Sequence, residues 1–314
     1  MSVWLPSAPC TPGACIERTR SVAAVPLAVL RLVAVVVVLL AGISLMPVGR
    51  WIPADAVRWW CRTTVRAAGI RLRMSGTAVP TGGLLLVANH ISWLDIPLLA
   101  AVRPARMLAK SEIRGWPVAG GLTAGSGALF IDRDRLRALP DTVARIADAL
   151  RAGSAVAVFP EGSTWCGRAQ GHFRRAVFQA ALDADVPVQP VRLRYRVSGG
   201  GASTAPAFIG DDSLLTSVWR VVSARGLVAE VEVPEPVPAG SHADRRTLAV
   251  TAQARVWTED TMEACPAADA WPAAGDAFPV GDADPAADPV PSPTPARLRT
   301  PAWSGRPARL RAPT

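Results

Sequence analysis

Residues 83–95 read GLLLVANHISWLD. The first six form an apolar run with no polar side, which fits a strand buried within an α/β sheet. Polar residues follow immediately, with His90 and Asp95 spaced as H-x4-D. Ligands of α/β proteins collect at the carboxyl ends of strands. A carboxylate one turn beyond such a His can hold one imidazole nitrogen and leave the other to take a proton from a hydroxyl. One His-to-Asp spacing also arises by chance, so its meaning depends on what surrounds it.

Around this segment, from residue 71 to residue 237, short apolar runs alternate with helical stretches. Residues 83–88, 106–109, 128–132, 155–159, 186–195 and 227–233 read as strands; residues 141–152, 174–183 and 244–264 read as helices. This alternation predicts an α/β domain over residues 71–265, a mixed sheet covered by helices. Residues 266–314 hold 11 Pro in 49 positions, with Ala and Asp first and Arg later. Such a segment cannot build a core and is expected to be a disordered tail.

To the N-terminal side, residues 1–20 show no periodicity and are expected to form a loose arm. Residues 21–70 are expected to be a membrane anchor followed by an interfacial helix. Residues 32–48 form seventeen positions without a charge, bounded by Arg31. Spanning hydrocarbon takes about 20 apolar residues, so both a short span with a snorkelling Arg31 and a helix half-sunk in one leaflet fit. No small-x-small site argues for cleavage, which favours a retained anchor over a signal peptide. Residues 51–70 interleave Trp51, Trp59 and Trp60 with Arg58, Arg62 and Arg66, fitting a helix on an anionic leaflet or a helix packed on the domain. Positive residues flank the apolar run on both sides, so charge alone does not orient it.

Composition narrows the partners. The 34 basic and 25 acidic side chains leave +9, and Lys110 is the lone Lys among the basic residues. Arg grips phosphate and carboxylate in a fork. Aromatics are only 6%, with a single Tyr, so stacking platforms for nucleic acid are scarce and no nucleic-acid partner is expected. The five Cys residues (Cys10, Cys15, Cys61, Cys166, Cys265) form no CxxC pair and no zinc-ligand spacing with His. A reducing compartment, no disulfide framework and no metal are therefore expected, with a lone Cys10–Cys15 bridge the open alternative.

Three more segments stand at strand ends. GALFIDR (residues 127–133) sets Arg133 where a guanidinium can hold an anion, although a surface charge would read the same way. VFPEGS (residues 158–163) breaks a buried strand at Pro160 and presents Glu161, Gly162 and Ser163, or is a plain turn. VPVQPV (residues 186–191) carries Pro187 and Pro190, which also suits a rigid edge strand. Taken in order with NHISWLD, the four resemble the glycerolipid acyltransferase family, including its 1-acyl-glycerol-3-phosphate acyltransferase type, whose pattern is NHxSxxD, G-x-x-F/I-I/V-x-R, FPEG-S/T and V-P-I/V-x-P. The resemblance covers about residues 75–200.

It implies that His90 is a general base oriented by Asp95, and that Arg133 meets the acceptor's anionic head. Glu161, Gly162 and Ser163 would bind the acceptor, and Pro190 would shape the acyl-donor side. The co-substrate would be acyl-CoA or acyl carrier protein, with no cofactor, and the acceptor a lysolipid at the cell membrane, first 1-acyl-glycerol-3-phosphate to give phosphatidate, the catalytic domain on its cytoplasmic face. The chain has no G-x-S-x-G nucleophile motif, consistent with direct transfer. One departure stands out. Phosphatidate-forming members continue FPEG-T-R-S, whereas Thr164 occupies the Arg position here. Arg168, Arg174 or Arg175 could supply the charge, or the acceptor could be another lysolipid such as lyso-ornithine lipid. A non-catalytic membrane-binding protein and a thioester hydrolase are the competing classes.

Overall fold

The structure is a computed structural model and describes residues 8–17, 25–111, 115, 127–132 and 136–257. Strands β1 (Arg71–Ser75), β2 (Leu84–Ala88), β3 (Arg106–Lys110), β4 (Leu129–Ile131), β5 (Ala155–Val158), β6 (Val188–Val197) and β7 (Leu227–Glu232) make one sheet in the order β1-β7-β6-β2-β5-β3-β4. Neighbours run parallel except the antiparallel pair β6 and β7. The expected mixed α/β sheet is present.

β2 lies at its centre and is buried along its whole length. Alternate residues serve opposite faces: Leu84, Leu86 and Ala88 enter one apolar cluster, Leu85 and Val87 the other. The first cluster is closed by α2 (Val25–Leu45), α3 (Ala54–Ala67), α4 (Asp95–Val102) and a later helix, Leu214–Ser223. Three helices close the second: α5 (Leu139–Arg151), α6 (Ala176–Ala184) and the terminal Arg245–Val256. Two-sided burial explains why GLLLVA has no polar side. Each fully buried Leu in it contributes roughly 2 kcal/mol.

Register carries the chemistry. Val87 pairs with Val158 across the parallel β2–β5 ladder, so the residues three further on, His90 and Glu161, emerge side by side. On the other flank Val87 pairs with Pro190. The strand bearing Pro190, with Pro187 just ahead of it, is thus interior, not an edge. Val188 exchanges hydrogen bonds of 3.0 and 2.7 Å with Val237, so by strand alternation Pro190 faces that same side. There the β6–β7 ladder begins only at Arg192, and the absent N–H of Pro190 leaves no gap in it.

The N-terminal regions differ from expectation. Instead of a loose arm, residues 8–17 pack on the domain, with a helical turn α1 (Pro12–Cys15) capped by Thr11. Cys10 and Cys15 are buried there; Cys packs like a small hydrophobe, which polar-looking, aperiodic sequence does not advertise. Nor does Arg31 snorkel: it donates to the carbonyls of Val222 (2.9 Å) and Ala224 (2.6 Å) and ties α2 to the domain. Further along α2, Trp60 of α3 donates to the Val38 carbonyl at 2.9 Å. Its ring lies where a Cβ on Gly42 would stand, 2.4 Å from the nearest ring carbon, so only glycine permits this approach. α3 packs Cys61, Thr64 and Val65 inward while Trp59 stays exposed. It is both the packed helix and a helix with an outward Trp. The expected tail, residues 266–314, and the end of the expected last helix lie outside the described residues.

Candidate active site

The loop after β2 is built around one carboxylate. Asp95 opens α4 and is 0% exposed, yet both its oxygens are occupied. Oδ2 accepts from the backbone N–H of Ile91 (2.6 Å) and Ser92 (2.8 Å) and meets His90 Nδ1 at 2.9 Å. Oδ1 accepts the Tyr195 hydroxyl at 2.6 Å. Because Oδ2 already takes two N–H donors, it faces Nδ1 as an acceptor. The neutral imidazole then carries its proton on Nδ1 and its lone pair on Nε2. The His90 side chain is 21% exposed.

The rest of the loop is held as firmly. Asn89 is buried and exchanges two 2.9 Å hydrogen bonds with the Leu193 backbone, prolonging the β2–β6 ladder through a side chain. Phe159 stacks on the His90 ring with centroids 3.9 Å apart. The backbone N–H of Trp165 donates to the His90 carbonyl at 2.8 Å.

Glu161 completes the frame. The turn Phe159–Gly162 is closed by a 3.1 Å backbone bond, and Gly162 at φ +78° adopts the left-handed conformation that favours glycine. The turn aims the Glu161 carboxyl beneath the β2 loop, where it accepts from His90 N–H (2.8 Å) and Gly171 N–H (3.1 Å). Burial pushes Glu161 up to about 8, against the two N–H donors that favour its charge. Burial first, then the Asp95 charge, raises Tyr195 well above its ordinary range.

Of the residues expected from sequence, His90, Asp95, Glu161 and Gly162 converge, and Ser163 and Thr164 continue from them half-buried. Pro190 is buried in the sheet. Arg133 lies outside the described residues, although β4, which leads to it, ends on the same side of the sheet as β2. Arg168 pairs with Glu17. With Arg194, Arg196 and Tyr195 it lines a cavity of about 120 Å³ behind the His–Asp pair. Arg174 and Arg175 are exposed beyond the turn, and Arg174 N–H binds the Pro160 carbonyl at 2.9 Å. His172 is exposed, and His242 is engaged by Ser241 and Thr251, which gives it a structural role. Tyr195, Asn89 and Phe159 were not foreseen. That Tyr195 is the single Tyr of the chain is a hint, but its reach to Asp95 follows only from the β6 register.

A family model described as Acyltransferase matches residues 71–194. A lyso-ornithine lipid O-acyltransferase of Pseudomonas aeruginosa is 40% identical over 201 residues, 63% of this chain and 76% of that protein. A 1-acyl-sn-glycerol-3-phosphate acyltransferase of Neisseria gonorrhoeae is 37% identical over 166 residues, 53% of this chain and 65% of that one. The crystal structure of the 1-acyl-sn-glycerophosphate acyltransferase PlsC from Thermotoga maritima shares the fold, with a TM-score of 0.57 at 18% identity over 76% of this chain and 95% of that one. This chain belongs to the glycerolipid acyltransferase family, and it is an acyltransferase.

Proposed function

We propose that the chain is a membrane-associated lysolipid O-acyltransferase with His90 as its general base. The observation that carries this reading is the fully engaged Asp95 carboxylate, which fixes Nδ1 and leaves Nε2 with the lone pair. Nε2 takes the proton of the acceptor hydroxyl as its oxygen attacks the thioester carbonyl of acyl-CoA or acyl carrier protein. The tetrahedral intermediate collapses, the carbon–sulfur bond breaks, and the imidazolium returns the proton to the departing thiolate. No protein nucleophile and no cofactor enter these steps. A positioned base of this kind contributes roughly 10²- to 10⁴-fold.

Lysophosphatidate is the first acceptor, its phosphate met by Arg133 and the exposed Arg174 and Arg175 beyond the Glu161 turn. Lyso-ornithine lipid is the second, favoured by Thr164 in place of an Arg and by the 40% identity to an enzyme of that name. Membrane attachment is supported by the outward surfaces of α2 and of the Leu214–Ser223 helix, and we place it at the cytoplasmic face because thioester donors are made there. These surfaces present Leu30, Val37, Leu40, Leu215 and Trp219 to the exterior. α2 is fastened to the domain at both Arg31 and Val38, which favours a helix lying against the leaflet over one projecting across it. Trp93, beside His90 in sequence, donates to Ser217 of the Leu214–Ser223 helix at 3.2 Å and links the site to that surface.

Membranes from an expressing host, given labelled acyl-CoA or acyl carrier protein and in parallel lysophosphatidate, lyso-ornithine lipid or lysophosphatidylglycerol, provide the test. Product that disappears with His90→Ala upholds the reading, and the lane identifies the acceptor. Thioester loss without acceptor indicates a hydrolase, and silence in every lane leaves a non-catalytic membrane protein.

A further inference from the structure

Three cysteines, two from one C-x4-C segment and one from far along the chain, meet in space. The Sγ atoms of Cys10, Cys15 and Cys166 all lie within 4.8 Å of one another, and all three residues are buried. Two local structures bring them there. The Thr11-capped turn, closed by Cys15 N–H to the Thr11 carbonyl at 3.0 Å, folds the C-x4-C segment back on itself. The loop after Glu161 then delivers Cys166, one residue beyond the Trp165 whose N–H holds the His90 carbonyl.

From this convergence we infer that Cys10, Cys15 and Cys166 form a binding site for a thiophilic divalent metal ion of the zinc type, which ties the N-terminal segment to the loop supporting His90. Zinc–thiolate bonds of about 2.3 Å in tetrahedral geometry set sulfurs about 3.8 Å apart, so the three need close up by at most about 1 Å. A disulfide would use two of the sulfurs and leave the third; a metal ion uses all three. Three thiolates around Zn²⁺ leave one net negative charge. A monovalent soft ion would leave two negative charges in the same buried space, which costs more. Cys166 also lines the cavity shared with Arg168 and Tyr195, a route by which water can fill the fourth position. Binding involves no redox step: the ion replaces the thiol protons, which are released to solvent.

The surroundings suit a structural tie. Glu17 N–H donates to Thr204 at 3.1 Å, and Glu17 pairs with Arg168. Gly210 lies so close that a Cβ there would stand 3.2 Å from Pro12 and 3.4 Å from the Cys10 carbonyl. With the metal in place, both sides of the loop beneath His90 are held, one by Glu161 and the other by Cys166.

The test uses the full chain purified in detergent with reductant, equilibrated with Zn²⁺ and desalted. Mass spectrometry of metal content should find stoichiometric zinc in the wild type and in Cys61→Ser, whose buried thiol is outside the cluster. Cys10→Ser, Cys15→Ser and Cys166→Ser should each lose it. Replacement by Co²⁺ should give strong thiolate-to-cobalt absorption, which decides the matter from the wild type alone if a serine variant fails to fold. Zinc no higher in the wild type than in the triple serine variant, Co²⁺ without that absorption, or a disulfide between two of the three in freshly isolated chain would each overturn the inference.

Discussion

The loop after β2 and the outer surface of α2 are both rich in apolar residues, yet they are held by opposite means. Around His90 the polar groups are buried and matched: Asp95, Asn89 and Glu161 each satisfy named backbone donors or acceptors. Along α2 few directional bonds reach the domain, chiefly through Arg31 and Trp60, and Leu and Val side chains face outward. A buried polar group without its partner costs roughly 1–3 kcal/mol, so the site tolerates little movement. An apolar surface has no such geometry to satisfy and can meet a fluid phase. On the proposed function, the comparison separates the part of the molecule that would do chemistry from the part that would meet lipid.

The sharpest way to break this contrast is at the His–Asp pair. His90→Ala and Asp95→Asn should each lower acyl transfer by roughly 10²- to 10⁴-fold while membrane binding, read by co-sedimentation with vesicles, stays at the wild-type level. Retained activity in either would remove the pair from catalysis.

Next in size is the pH response of Glu161. Its ordinary value is 4.5 and burial lifts it to about 8, so between those limits the folded chain keeps a proton that the unfolded chain has released. The unfolded state binds fewer protons, and stability falls as pH rises through that window, by an amount on the order of a few kcal/mol. Thermal melts across the range should show Tm dropping toward alkaline pH. Glu161→Gln should flatten the slope, though with a lower Tm throughout because one N–H loses its acceptor. An unchanged slope would assign the pH response to other groups.

Tyr195→Phe probes the same frame more gently. It removes one donor from Asp95 and leaves the imidazole contact, so kcat should fall about tenfold, roughly 1.4 kcal/mol, with KM for the acceptor nearly constant. A change confined to KM would place Tyr195 at substrate instead. The smallest effect belongs to the outer surface. Leu215 is 82% exposed, and Leu215→Glu should weaken vesicle binding by about tenfold or less without altering turnover on detergent-dispersed acceptor. Loss of turnover in detergent would mean that the surface acts on the site itself, through the Trp93–Ser217 contact.

Much of the architecture was legible in advance because it rests on local signals. GLLLVA has no polar face since both faces of β2 are covered, and residues 141–152 carry helical periodicity since one side of α5 is buried. β1 was missed: RLRMS sits half-exposed at the sheet edge, where no apolar run is needed. The Leu214–Ser223 helix was missed as well, its Leu and Val residues divided between core and exterior. His90, Asp95 and Glu161 were readable from their motifs, because each motif lies within a few residues of one strand end.

What the sequence by itself determined is therefore the α/β class, most of the strands, the apolar N-terminal helix and the His90 and Asp95 motif, all encoded within short windows of chain. Only tertiary structure decided that Tyr195 reaches Asp95, that Pro190 sits in an interior strand, that Arg31 binds the domain, and that Cys10, Cys15 and Cys166 meet. Each of these depends on sheet register or on packing between residues distant in sequence. Spacing along the chain carries no information about that distance until the long-range pairings of β2 with β5 and β6 are in place.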